Sequence, residues 1–205
     1  AQVICDPALT IGMPKAITAG TGLDAFAHCV EAYSSPHYHP MSHGIALEGM
    51  RLVKDYLPRA YADGTDLEAR AHLMSAAAMG ATAFQKGLGA IHAISHPVGA
   101  IYHTHHGTTN AVCMPAVLRF NRPAIEARFD QAAAYLGLSG GYEGLCAFVD
   151  DLNESLAIPR ALTGLGIETL DIDRVLEGAL KDPSTGGNPI TMTADNTRPL
   201  IESLI

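Results

Sequence analysis

Apolar residues in this chain recur three and four positions apart, and few stretches alternate with the period of a strand. Leu23, Phe26, Ala27 and Val30 share one face of a predicted helix over 17–33, behind Pro14. A second helix, over 41–62, carries Ile45, Leu47, Met50, Leu52, Val53 and Leu57, with Gly64 as its stop signal. Thr65-Asp66-Leu67-Glu68 has the form of a capping box opening an Ala-rich helix that reaches residue 85. After the break Gly87-Leu88-Gly89, Ile91, Ile94 and Val98 mark a helix that Pro97 kinks without ending. Beyond a loop near Thr104 the pattern predicts a helix over 107–120 and a separate one from Pro123 to Leu136. Residues 142–156 form an amphipathic helix, 170–180 a short one, 184–193 a loop, and 195–205 a last turn or two. Val3-Ile4-Cys5-Asp6-Pro7 reads as extended. The expectation is one all-α domain over 1–205, an orthogonal bundle of about seven to nine helices.

Composition narrows the function. The 205 residues include 13 Lys+Arg and 21 Asp+Glu, a formal charge of −8. That balance argues against nucleic acid and anionic membranes, both of which reward a basic face. No apolar run approaches the roughly 18–20 residues of a membrane span, and no signal peptide opens the chain, so a soluble, cytoplasmic protein is expected. Cys5, Cys29, Cys113 and Cys146 form no CxxC pair and read as reduced, mostly buried thiols. There is no βαβ pattern, no GxGxxG and no P-loop. The chain opens on Ala1 rather than Met, which suggests a piece of a longer protein.

Ten histidines are the outlier. Asp24 and His28 are spaced i,i+4, so both leave one helix face, and His92 and His96 repeat that spacing on another helix. His105 and His106 stand where a loop becomes a helix. A divalent metal needs three or four N/O donors converging from different elements, and His with Asp suits Fe(II) or Zn(II) better than Mg or Ca. Spacing alone nominates both His92 and His96. His37, His39 and His43 lie in a Pro-flanked segment read as loop, His72 sits in the Ala-rich helix as a structural residue, and His103 belongs to a loop or the site's margin.

These residues resemble a known family. Asp6-Pro7, Pro14 and Gly22-Leu23-Asp24-Ala25-Phe26-Ala27-His28 with Glu31 are similar to the first signature of the iron-containing (group III) alcohol dehydrogenases. Gly87-Leu88-Gly89-Ala90-Ile91-His92-Ala93-Ile94-Ser95-His96-Pro97-Val98-Gly99-Ala100, with His106-Gly107, resembles the second. Asn188-Pro189 and Asn196-Thr197-Arg198-Pro199 are like the family's C-terminus.

The resemblance implies the family's C-terminal, dehydroquinate synthase-like helical domain, without the N-terminal α/β domain that binds NAD(P). Carried over by position, it implies metal ligands Asp24, His28, His92 and His106, with His96 a neighbouring non-ligand. His105 stands where the family often has Pro, and so adds a rival donor. The metal implied is Fe(II), with Zn(II) an alternative at the same donors. The implied reaction is hydride transfer between a small alcohol or aldehyde and NAD(P), with the metal as Lewis acid. His96 either relays a proton or orients a ligand, and Glu31 pairs structurally or orients one. Relatives commonly form homo-oligomers. The fragment alone is expected to be inactive, since nothing in it cradles a pyrophosphate. The competing expectation is a non-catalytic metal-binding or interaction module on the same scaffold. A metallohydrolase would need a carboxylate base at the open coordination position, and no HExxH supplies one.

Overall fold

The computed structural model describes residues 3–205, and among them every regular element is helical. Eight α-helices follow in order: α1 (Lys15–Ser34), α2 (Pro40–Ala62), α3 (Leu67–Ala83), α4 (Ala90–Tyr102), α5 (His106–Tyr135), α6 (Gly141–Ser155), α7 (Ile172–Lys181) and α8 (Ala194–Glu202). They form the expected orthogonal bundle, and buried residues from all eight belong to one hydrophobic cluster. No helix is long and apolar enough to cross a membrane.

The central element is α1, packed by α2, α3 and α5. From Thr18 to Ser34 nearly every side chain is buried, so the helix is surrounded rather than one-faced. Small residues permit this: Gly107 of α5 passes so close to Gly20 of α1 that a Cβ there would collide with the Gly20 carbonyl. This crossing brings the start of α5 against the stretch of α1 that carries Asp24.

Burial leaves the last carbonyls of α1 without water. Two cations take them: Lys86 Nζ donates to Ala32 O at 2.9 Å and Ser35 O at 2.6 Å, and Arg128 donates to Tyr33 O, Ser34 O and Ser35 O at 2.8, 3.1 and 2.9 Å. Positive charge there also complements the helix dipole. Because Lys86 immediately precedes Gly87-Leu88-Gly89, this anchor fixes where α4 begins.

Three sequence expectations are corrected. Asp66, not Thr65, caps α3, its carboxylate accepting from Ala69 N–H at 3.0 Å, while Glu68 pairs with Arg59. The two helices expected over 107–136 are one 30-residue helix running through Pro115 and Pro123. Pro115 deprives the Ala111 carbonyl of its helical donor, and Asn153 of α6 replaces it at 2.8 Å. Arg119, whose carbonyl loses its partner to Pro123, lies on the exposed side. Residues 183–187 form a short 3-10 turn at the start of the expected loop, and another, over Pro7–Thr10, follows the stretch read as extended. The cysteines are mostly buried free thiols as expected: Cys29, Cys113 and Cys146 are buried and Cys5 is exposed.

Two outcomes follow. Gly107→Ala should destabilise the chain by about 1–3 kcal/mol or more in chemical denaturation, because two helix backbones must separate to admit the methyl group; a loss within error of zero would mean the crossing yields freely. The second concerns His43, whose Nε2 lies 2.6 Å from Lys86 Nζ. Burial, with Lys86, Arg128 and His39 nearby, lowers His43 from 6.5 to about 4. The unfolded chain therefore binds a proton first, and stability is lost as pH falls from 6.5 toward 4. His43→Gln should flatten that part of the stability profile, and an unchanged slope would contradict the assignment.

Candidate metal centre

Three helices supply the site. Asp24 and His28 project from the middle of α1, His92 from the first turn of α4, and His106 is the first residue of α5. Asp24 Oδ1 is the point of convergence: it lies 3.8 Å from His28 Nε2, 3.5 Å from His92 Nε2 and 3.5 Å from His106 Nε2. The donor atoms of Asp24, His28 and His92 all lie within 4.8 Å of one another. The His28 and His92 rings stack with centroids 4.7 Å apart, and Phe84 closes the other side of His28 at 5.0 Å.

The aim of His92 is fixed from behind. Its ring is 1% exposed, and Nδ1–H donates to the Glu31 carboxylate at 2.6 Å, which turns Nε2 toward Asp24. The other oxygen of Glu31 accepts from Ile91 N–H at 2.6 Å. Asn188 Oδ1 accepts from Ala90 N–H at 3.1 Å. Together they cap the otherwise unpaired amides at the start of α4. Asn188 is held in turn by reciprocal amide bonds with Asn121, both 2.8 Å. Gly187 permits the approach, since a Cβ there would strike the Leu88 carbonyl.

Electrostatics follow from the crowding. Burial works to raise the Asp24 carboxyl, but its hydrogen bond with His92 and the charges of His28 and His106 outweigh it and bring Asp24 to about 2. Burial likewise works to lower His92, while Asp24 and Glu31 at its two nitrogens lift it to about 9. His28 and His106 are both lowered, mainly by burial. One carboxylate and three convergent imidazoles form a donor set that suits Fe(II) or Zn(II).

His96 lies one turn beyond His92 and keeps its side chain 42% exposed. Its ring stacks on His106 at 5.4 Å, and its Nδ1 is 2.8 Å from Asp182 Oδ2. Its place is at the rim, beside the convergent group. His105 is occupied elsewhere, its Nδ1 capping α5 by accepting from Thr108 N–H at 3.3 Å. The remaining histidines lie apart from the cluster: His39 caps α2, His43 meets Lys86, His72 stacks on Tyr56, and His103 ends α4 in a left-handed conformation.

Two contributors were not legible in the sequence. Asp182 follows α7 and carries no motif. Asn110, one turn after His106, donates through Nδ2 to Asp24 Oδ1 at 2.7 Å, while its own Oδ1 is buried without a partner. Its i,i+4 spacing from His106 was the only available signal.

The chain has marked relatives. It is 40% identical to the 4-hydroxybutyrate dehydrogenase of Cupriavidus necator over 98% of this chain and 55% of that protein. It is 35% identical to the NAD-dependent methanol dehydrogenase of Bacillus methanolicus over the same shares. The structure superposes on a 1,3-propanediol oxidoreductase with TM-score 0.93 at 34% identity, covering 98% of this chain and 55% of the other. The chain thus spans about half the length of the curated relatives it matches. Residues 18–205 match the model of the C-terminal part of the Fe-containing alcohol dehydrogenases, and the chain belongs to that family.

Proposed function

We propose that these 205 residues are the metal-binding helical part of a metal-dependent, NAD(P)-linked dehydrogenase acting on a small alcohol or aldehyde. The observation that carries this reading is the convergence of Asp24, His28, His92 and His106 from three helices on one point, with His92 aimed by Glu31. Membership of the family and the dehydrogenase names of its relatives support it. The proposed ion is Fe(II), with Zn(II) able to take the same donors. When bound, it supplies a Lewis acid that polarises an alcohol or carbonyl oxygen.

This chain's residues do the rest of the local work. Asp24 contributes the one anionic donor, which lowers the net charge of the loaded site. Glu31 holds the Nδ1 proton of His92, so that the proton given up when an ion binds is the one on Nε2, which would then offer its lone pair. His96, at the exposed rim, exchanges the substrate proton with solvent, and Asp182 holds its Nδ1 so that Nε2 stays available. Hydride transfer requires a nicotinamide, which we assign to a nucleotide-binding half like that of the family. Alone, the 205 residues should show little dehydrogenase activity, because their sequence holds no βαβ unit with a GxGxxG or P-loop phosphate cradle.

Metal analysis tests the ligand set. The chain purified under anaerobic conditions and reconstituted with Fe(II) or Zn(II) should carry close to one ion per molecule. His92→Ala should abolish it, and His96→Ala should retain it. Loss in His96→Ala with retention in His92→Ala would reverse the assignment. Glu31→Gln should leave the stoichiometry but weaken affinity by roughly 10–100-fold in chelator competition, as expected for a residue that orients a ligand. An unchanged affinity would make Glu31 a purely structural partner.

A further inference from the structure

Asn110 is fully buried, and its amide group points its nitrogen into the convergent cluster. Nδ2 lies 2.7 Å from Asp24 Oδ1, 3.1 Å from His92 Nε2 and 3.1 Å from His106 Nε2. The hydrogen bond to the Asp24 carboxylate is the one this NH2 certainly donates, and it brings the positive end of the amide dipole against both imidazole nitrogens. The other end is left unserved, since Oδ1 is buried and accepts from nothing. A buried acceptor without a donor is costly, so the attraction at the nitrogen end must outweigh it.

Those three atoms are among the four assigned above to the metal. A cation held roughly 2.0–2.2 Å from them would press against the same NH2, positive against positive. Resting on that ligand set, we propose that Asn110 is a placeholder for the metal. Before loading, its amide nitrogen stands where the cation would, donating to Asp24 Oδ1 and holding that oxygen between the His92 and His106 rings. The same contacts are surrendered when the ion arrives, so Asn110 sets the affinity by competing with it. A residue that merely orients a ligand acts in the opposite direction, since its removal weakens binding.

The test is Co(II) binding to the full chain, read by chelator competition and by the visible spectrum of the bound ion, together with melting of the metal-free and loaded forms. Asn110→Ala should bind Co(II) about tenfold more tightly than the unsubstituted chain, the size expected for losing a competing hydrogen bond to a charged group. Its metal-free form should melt lower, while the loaded forms melt alike. Asn110→Ser keeps a polar group too short to reach all three donor atoms, and should shift affinity the same way if the alanine variant fails to fold. Equal or weaker Co(II) binding in either folded variant overturns the proposal while leaving the ligand set intact. If the unsubstituted chain and both variants all fail to bind Co(II), the ligand set itself falls and the placeholder falls with it.

Discussion

The carboxylate of Glu31 lies buried between α1 and α4 with both oxygens committed, one to the His92 ring and one to the Ile91 amide. A charge removed from water is tolerated only where it is paired and hydrogen-bonded, and here the partners are the side chain and backbone that must be held still. Seven residues separate Asp24 from Glu31, two turns of the same helix. One rigid helix therefore presents a donor at one level and the support of a second donor at another. The position of His92 relative to Asp24 is inherited from the geometry of α1.

The remaining elements serve that relation. Lys86 and Arg128 cap the end of α1, and Lys86 ties that end to the Gly-rich break before α4. Asn188, paired with Asn121, caps the start of α4, while Asp182 holds His96 further along the same helix. Segment 182–188 thus acts as a strap on α4 from a distant part of the sequence, meeting its first amide through Asn188 and His96 through Asp182. On the opposite side, the close passage of Gly107 against Gly20 sets His106 beside Asp24. The helices that carry His92 and His106 are thus fixed at their starts by capping and close backbone contact.

The helices were legible because their apolar spacing is regular, and the donor pairs because i,i+4 spacing is visible without a structure. Legibility ended where partners come from far along the chain. Pro123 looked like a helix start because the sequence cannot show that Asn153 repairs the related gap at Pro115. Spacing gave His92 and His96 equal claims, and the resemblance favoured His92. The physical difference between them is tertiary: Glu31 aims one ring inward, and Asp182 holds the other at the rim. The Thr65 capping box failed for a local reason, since Asp66 is an equally good cap one residue later and leaves Glu68 free for Arg59.

The central claim is that one carboxylate and three imidazoles, with His96 outside the set, surround a single ion. X-ray absorption of the Zn(II)- or Fe(II)-loaded chain measures that shell directly. The account predicts N/O scatterers at roughly 2.0–2.2 Å, with multiple scattering from three imidazoles and no sulfur. The spectrum of His96→Ala should be superimposable on it. A shell that loses an imidazole in His96→Ala, or one that contains sulfur, would contradict the account.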